Sequence, residues 1–162
     1  MNKKKTVCYI LMYLPLVVVL IVLPHLPEKI PAHYGFDNQV DRWGSKYETL
    51  LFPVVSILMG YFLFGMAKLA AKKEEHGENN KNVTIIVGIL VLILLNALNV
   101  YSLYTSFNKV ENLSFVSVDI GQLVFGIIGM LMIVTGNLMP KLRMNSTIGL
   151  RTHWSMKNEA TW

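Results

Sequence analysis

The side chains best suited to chemistry are concentrated in one stretch of this 162-residue chain, residues 24–48. His33, Asp37 and Asp41 could ligate a cation or grip a peptide, and Lys46 adds a positive charge nearby. One imidazole and two carboxylates without helical spacing are a weak pattern for a metal site. Three interpretations therefore stay open: a hydrogen-bonded structural loop, a site for peptide recognition and a metal site.

This stretch, which we call the cap, is predicted to fold. It has 25 residues and contains several aromatic side chains, whereas loops longer than about 12–15 residues are usually functional or disordered. Its prolines favour an extended path, because proline restricts its own and the preceding backbone dihedrals. Ser45 and Glu48 have the spacing of a capping box before an apolar run, so a helix should start there. A folded recognition element should also shield Trp43.

A second candidate region is the tail, residues 140–162, which combines Trp, Arg and Lys residues. That combination is typical of an interfacial segment on anionic lipid. Arg151 could instead form a two-pronged contact with a carboxylate or phosphate, and Gly149 nearby lets the backbone turn sharply. Ser155 could cap a new helix. The tail is thus predicted either to lie on lipid or to make a specific contact through Arg151.

The elements that must position both regions are apolar. Hydrophobic residues make up 53% of the chain and charged residues only 15%. The hydrophobic residues form runs long enough to cross a hydrocarbon core of about 30 Å. Helices are expected, because each span must satisfy its own backbone hydrogen bonds in lipid. The predicted fold is an all-α polytopic membrane protein, a single membrane domain (1–162) with transmembrane helices over about 6–23, 49–71, 83–105 and 120–139.

Charge counting orients this bundle. Eleven of the fifteen Lys and Arg residues lie at the amino terminus, from the end of the second span (Lys68) to the start of the third, or in the tail. Both termini are therefore predicted to be cytoplasmic, with the cap outside. The net charge of +5 then needs no nucleic-acid partner, and soluble enzymes and DNA-binding domains are excluded. A single cysteine, Cys8, excludes an internal disulfide and a multi-cysteine metal site.

Polar residues inside the predicted spans are few. Asn96, Asn99 and Ser102 form one stripe on the third span, and such side chains usually pair across helices. No acidic or basic residue lies in the middle of a span, which argues against an ion-coupled transporter. No nucleophile–base pair or HExxH motif indicates a membrane hydrolase. Residues 71–82 are predicted to be a solvated polar linker.

Two segments of the chain resemble a known family. The cap sequence LPEKIPAHYGFDNQVDRWGSK is similar to an extracellular motif of bacterial membrane proteins of unknown biochemistry; the matching residues are Ile30, Pro31, His33, Asp41 and Lys46. The segment GNLMPKLRMNSTIGLRTHWSMKNEATW resembles the signature of the SdpI/YfhL family. The matching residues there are Gly136, Asn137, Asn145, Ile148, Gly149, Leu150, Arg151, Thr152, Trp154 and Trp162. With the spans, the two motifs cover essentially the whole chain.

The resemblance implies a multi-pass protein of the bacterial plasma membrane. The family's best-known member confers immunity to a secreted killing peptide and holds a small repressor at the membrane. The implied binding residues are His33, Asp41 and Lys46 in the cap, and Asn137, Asn145, Gly149, Arg151 and Trp154 in the tail. No cofactor, metal ion or catalytic residue is expected. The expected partners are a toxin peptide, a small transcriptional repressor and membrane lipid.

This chain differs from the family pattern at two points. The family often has glycine at the position of Asn38, and Asn also tolerates the left-handed conformation, so the turn should be kept. The family usually continues past Trp162 into two further spans, so we expect a short or truncated member. The leading hypothesis is an immunity or sensing protein that binds a membrane-active peptide. The alternative is a membrane enzyme or transport component that acts on a lipid or small molecule through His33 and Asp41.

Overall fold

The computed structural model describes residues 3–71, 77–145 and 149–162 and shows a mostly helical protein. Four helices in these ranges are long and apolar enough to cross a membrane. They are α1 (Lys3–Val22), α2 (Leu51–Ala70), α3 (Gly77–Phe107) and α4 (Ile120–Leu138). The predicted class, a four-span helical membrane protein, is confirmed.

The packed part of the bundle consists of α1, α2 and α3. Met12 of α1, Ala67 of α2 and Leu92 of α3 lie in one buried cluster. A Cβ on Gly60 would lie 2.8 Å from Met12 Cε, so α1 and α2 come this close only because the residue is glycine. The fourth helix is different. Only 6% of its most apolar stretch is buried, against 22–33% in the other three.

The two ends of the bundle carry different connections. At one end the Lys4 ammonium donates to the Asn82 side chain, and the Asn80 side chain bonds the backbone of Arg143. The amino terminus, the start of α3 and the tail therefore meet at this end. At the opposite end the cap contacts residues 108–119. This arrangement gathers the segments rich in Lys and Arg at one end, and which end faces the cytoplasm stays a prediction.

The third helix begins at Gly77, six residues before the predicted start of the span. The interpretation of 71–82 as a solvated linker is therefore wrong for residues 77–82, and residues 72–76 lie outside the described residues. Asn80 explains the difference. Its side chain is fully buried, and its amide donates to and accepts from the backbone of Arg143. A polar residue with such partners can enter a packed helix start without water.

The cap contains a β-hairpin that the sequence pattern does not predict. Its strands β1 (Lys29–Tyr34) and β2 (Val40–Ser45) pair antiparallel in a two-stranded sheet. Burial does not alternate along β1, because Ile30 and Pro31 are both buried, so no period-two pattern is visible. In the turn, Asn38 has φ +63°, which confirms the expected left-handed conformation.

Ser45 ends the hairpin and starts the second membrane helix. Its side chain accepts from the Tyr47 N–H, and its own N–H donates to the Glu48 carboxylate at 3.2 Å. The predicted capping box is thus confirmed. A 3-10 turn, Lys46–Leu50, leads directly into α2. The capping box therefore determines where the cap joins the bundle.

Candidate functional site

His33 and Asp41, the central residues of the cap motif, are in contact. His33 Nδ1 lies 2.7 Å from Asp41 Oδ1, and the two side chains are 65% and 52% exposed. In the sheet register, His33 pairs with Arg42, and the next residue of β1, Tyr34, pairs with Val40. Asp41 lies between Arg42 and Val40 on β2 and is therefore the extra residue of a bulge. Bulges re-aim side chains, and this one directs Asp41 to the imidazole. The result is an acid–base pair open to solvent.

Lys46, the third residue of the cap motif, has a different partner. Its Nζ donates to Glu28 Oε1 at 2.7 Å, and the Lys46 side chain is only 13% exposed. The bond to Glu28 raises the pKa of Lys46, so the ammonium stays charged. The ammonium also lies 5.9 Å from the centroid of the Tyr47 ring. Lys46 thus braces the base of the hairpin and is not bonded to His33 or Asp41.

A further ion pair, between Arg42 and Glu48, is not predicted by the sequence analysis. Two guanidinium N–H groups donate to the two carboxylate oxygens at 3.2 and 2.9 Å. This contact lowers the pKa of Glu48 and raises that of Arg42. It lies against Gly44, where an added Cβ would be 2.6 Å from the Glu48 carboxyl carbon. The two charges are six residues apart and meet only because the hairpin folds.

The hairpin is also held by the connection between α3 and α4. Val40 N–H donates to the Glu111 carbonyl at 2.9 Å, and the Tyr34 hydroxyl donates to the Val110 carbonyl at 2.9 Å. Burial raises the pKa of Tyr34. The structural-loop interpretation therefore accounts for most polar contacts of the cap. Within the described residues, no group of three or more His, Cys, Asp and Glu side chains is placed to hold a metal ion.

Several aromatic side chains of the cap remain exposed. Trp43 on β2 is 42% exposed, so the expectation that the cap shields it is wrong. Phe36, at the tip of the hairpin, and Tyr47 are also exposed. Ile30 and Pro31 are buried, whereas Trp43, the cross-strand partner of Pro31, stays partly exposed. The cap therefore leaves an accessible surface of aromatic and charged groups.

Two residues of the tail motif, Gly149 and Trp162, pack on each other. Gly149 has φ +112°, and a Cβ there would lie 2.7 Å from Trp162 Cζ2. The Trp162 indole N–H donates to the Leu142 carbonyl at 3.1 Å. Glycine is therefore required at position 149 for two reasons: the positive φ favours glycine, and a Cβ would collide with the Trp162 ring.

The other residues of the tail motif do not form one site. Asn145 is buried and donates to the Arg143 carbonyl at 2.8 Å, whereas Asn137 is exposed near the end of α4. Arg151 and Trp154 are exposed together and line one open concave surface. Among the residues that the structure describes, Arg151 has no ion-pair partner. The Arg151–Trp154 surface is therefore an accessible part of the motif.

Ser155 does not cap a helix, and that prediction is wrong. Residues 151–162 form turns without a helix. Ser155 Oγ donates to the Leu150 carbonyl at 2.6 Å and accepts from the Thr152 N–H at 2.9 Å, while Thr152 Oγ1 accepts from the Ser155 N–H. These bonds close a turn. They occupy the Ser155 hydroxyl and the backbone N–H groups that would otherwise form the start of a helix. Ile148 of the motif lies outside the described residues.

Two residues that the sequence analysis missed hold the tail on the bundle. Asn79 and Asn80, in the first turn of α3, donate to the carbonyls of Lys141 and Arg143. The Arg143 N–H donates back to Asn80 Oδ1 at 3.0 Å. The signal in the sequence is an Asn pair inside a charged segment, a pattern that also suits a solvated linker.

Inside the bundle, the predicted pairing of polar side chains across helices is confirmed for Asn96. Its amide donates at 2.9 Å to the Leu11 carbonyl of α1. Asn99 and Ser56 are buried as well. The Asn99 Oδ1 and Ser56 Oγ atoms have no hydrogen-bond partner among the described residues.

Known proteins match this chain both in the cap region and along nearly its whole length. A family described as a domain of unknown function, DUF1648, matches residues 10–57, which include the cap and the adjoining ends of α1 and α2. The chain is 27% identical to the immunity protein SdpI of Bacillus subtilis (strain 168) over 161 residues, 99% of this chain and 71% of SdpI. No solved structure matches the chain. The resemblance drawn from the two motifs is therefore confirmed: this four-helix membrane protein is similar to SdpI along nearly its whole length and contains a segment that matches DUF1648.

Proposed function

We propose that this protein is an immunity protein of the bacterial plasma membrane that protects its cell against a secreted, membrane-active peptide. The observation that carries the proposal is the similarity to the immunity protein SdpI along 99% of the chain. The aligned part includes both the cap and the tail. Protection arises from binding the peptide rather than from catalysis.

The cap is the proposed peptide-binding element. Its hairpin is braced by the Arg42–Glu48 and Lys46–Glu28 ion pairs, so the exposed face is presented on a fixed support. The exposed surface of the hairpin offers Asp41, paired with His33, and the aromatic side chains of Phe36 and Trp43. Polar and aromatic groups on one hairpin suit an amphipathic peptide, because they can bind both of its faces.

The role of the cap is tested with Asp41→Asn in a killing assay on cells matched for protein abundance. We expect protection to fall, because the amide removes the charge and weakens the contact with His33. Glu111→Gln is the matched control, since Glu111 contributes its backbone carbonyl to the hairpin and not its carboxylate. The control should protect like the wild type. Loss of protection that merely follows loss of protein would make the motif structural and would contradict peptide binding.

The tail is the proposed site of a relay to a small transcriptional repressor held at the membrane. Arg151 and Trp154 support this role, because they are exposed on turns that the Thr152–Ser155 bonds keep in shape. Lysine keeps the charge of Arg151 but loses its planar fork. If the contact is specific, Arg151→Lys should reduce reporter output almost as much as Arg151→Ala. A wild-type response of Arg151→Lys would instead indicate attraction to anionic lipid.

A second candidate function is a membrane enzyme or transport component that acts on a lipid or small molecule. The 2.7 Å contact between His33 and Asp41 favours it, because a carboxylate that orients an imidazole is common in acid–base sites. The double variant His33→Ala, Asp41→Ala distinguishes a role of this pair in peptide binding or catalysis from a purely structural role. Protection that persists in that variant would argue against both functional uses of the pair.

A further inference from the structure

A groove opens between α2, α3 and α4 near the end of the bundle that carries the tail. Its volume is about 270 Å³. Residues of three helices and of the tail line it, among them Phe62, Met66, Val87, Thr135, Leu138 and Leu142. Thr84 also lines it, and the hydroxyls of Thr135 and Thr84 donate to the carbonyls of Leu131 and Asn80 in their own helices, at 2.7 and 2.8 Å. The walls of the groove are therefore apolar throughout.

The groove exists because α4 packs loosely. Helix α4 contacts α3 near the carboxyl end of α4, where Leu138 joins a buried cluster with Val83 and Leu142. Further along α4, a Cβ added to Gly129 or Gly136 would meet no atom within 4 Å. Inside a bilayer the hydrophobic effect does not drive helices together, so an apolar gap left by incomplete helix packing offers a place for an apolar chain.

The groove ends beside two cationic residues of the tail. Leu142 lines the groove, and its neighbours Lys141 and Arg143 are both exposed. Neither side chain has an ion-pair or hydrogen-bond partner in the described part of the chain. Their backbone is nevertheless fixed, because Asn79 and Asn80 bond it from the first turn of α3. Two exposed positive charges thus flank Leu142, the residue through which the tail lines the groove.

We propose that this groove binds one acyl chain of an anionic phospholipid, with the phosphate against Lys141 and Arg143. The argument is complementarity of shape and charge. The apolar slot fits a hydrocarbon chain, and basic pockets between transmembrane helices bind anionic headgroups. A bound lipid would fill the space between α4 and α2 and so hold the loosely packed helix in place. This proposal is independent of toxin binding and of the repressor.

The test is native mass spectrometry of the full chain in detergent, with phosphatidylglycerol or phosphatidylcholine of the same acyl chains. We expect the wild type to retain phosphatidylglycerol about tenfold better, because two cations face the headgroup. Lys141→Gln, Arg143→Gln should lose this preference. The matched control is Lys29→Gln, Lys109→Gln, which removes two exposed charges at the opposite end and should keep it.

A groove-filling variant separates the acyl chain from the headgroup. Val87→Phe should reduce the retention of both lipids, because the ring occupies the slot. The charge variants change only exposed residues, so they keep the test valid if Val87→Phe folds poorly. Equal retention of the two lipids by the wild type would overturn the proposal. A wild-type dimer that Val87→Phe dissociates would also overturn it, since a second copy would then occupy the groove.

Discussion

Pro15 lies inside α1 and has no backbone N–H, so the Leu11 carbonyl, four residues earlier, lacks its helical donor. Asn96 of α3 donates to this carbonyl at 2.9 Å. The amide therefore does more than join two helices. It satisfies a backbone group that a proline has left unpaired within the hydrocarbon region, where such groups are costly.

This compensation makes a testable prediction. Asn96→Leu should lower the free energy of unfolding by about 1 kcal/mol, the scale of interhelical hydrogen bonds in membranes. The loss should be smaller in a Pro15→Ala background, because alanine restores a backbone N–H that can donate to the Leu11 carbonyl. The free energy of unfolding is measured by detergent titration for the wild type, Asn96→Leu, Pro15→Ala and the double variant. These four values give the coupling energy between the two residues. Equal losses in both backgrounds would show that Asn96 does not act through the proline.

Glu48 makes the stability of the cap depend on pH. Its pKa is lowered in the folded cap, chiefly by the bond from Arg42. A carboxyl with a lowered pKa stabilises the fold above its ordinary value of 4.5, and this contribution disappears as the pH falls through the lowered value. Acidification below about pH 4.5 should therefore loosen the cap.

The emission of Trp43, in a Trp154→Phe, Trp162→Phe background, reports this change. Glu48→Gln should have a looser cap at neutral pH. Its Trp43 emission should change less on acidification, since glutamine does not titrate. Glu111→Gln should titrate like the wild type. An acid response that Glu48→Gln leaves intact would assign the pH dependence to another group.

Individual residues show how far sequence reasoning reaches. Asn38 and the Ser45–Glu48 capping box were predictable, because the interactions that define them are local in the chain. The pairing of Arg42 with Glu48 was not, since it exists only after β2 has formed. His33 and Asp41 were identified as candidates, but their contact depends on a bulge that no local pattern indicates.

At the scale of elements, the tail is an example of local structure built from side chains rather than from a helix. Gly149 is its most constrained position, because of its φ of +112° and the Trp162 ring against it. Gly149→Ala should open the tail and speed cleavage by trypsin after Arg151. Gly136→Ala, where a Cβ meets no atom within 4 Å, is the control and should change little. Unchanged cleavage of Gly149→Ala would contradict the packing of Trp162 on this residue.

The membrane helices were more predictable than the segments that join them. Long apolar runs specify α1, α2 and α4 almost to their ends, since length and hydropathy decide a span. The start of α3 was misplaced because Asn80 is polar by composition but buried in the fold. The helix predicted after Ser155 does not form for a related reason, since the Ser155 hydroxyl bonds the backbone of a turn. In both cases a polar side chain has a backbone partner that composition cannot reveal.

At the scale of the whole molecule, the orientation in the membrane is the first prediction to test. Phe36 in the cap and Leu150 in the tail are exposed and belong to opposite ends of the bundle. In a Cys8→Ser background, an impermeant thiol reagent should label Phe36→Cys in intact cells. It should label Leu150→Cys only after the cells are permeabilised, because the positive-inside bias places the tail in the cytoplasm. The reverse pattern would invert the topology.

The length of α3 has a consequence for how the two sides of the membrane communicate. Its 31 residues extend about 46 Å, well beyond the roughly 30 Å of the hydrocarbon core. One end packs near the cap, and the other end bonds the backbone of Lys141 and Arg143. A single helix longer than the hydrocarbon core thus connects the cap with the tail. A peptide that tilted the end near the cap would swing the end near the tail the opposite way, as a lever does.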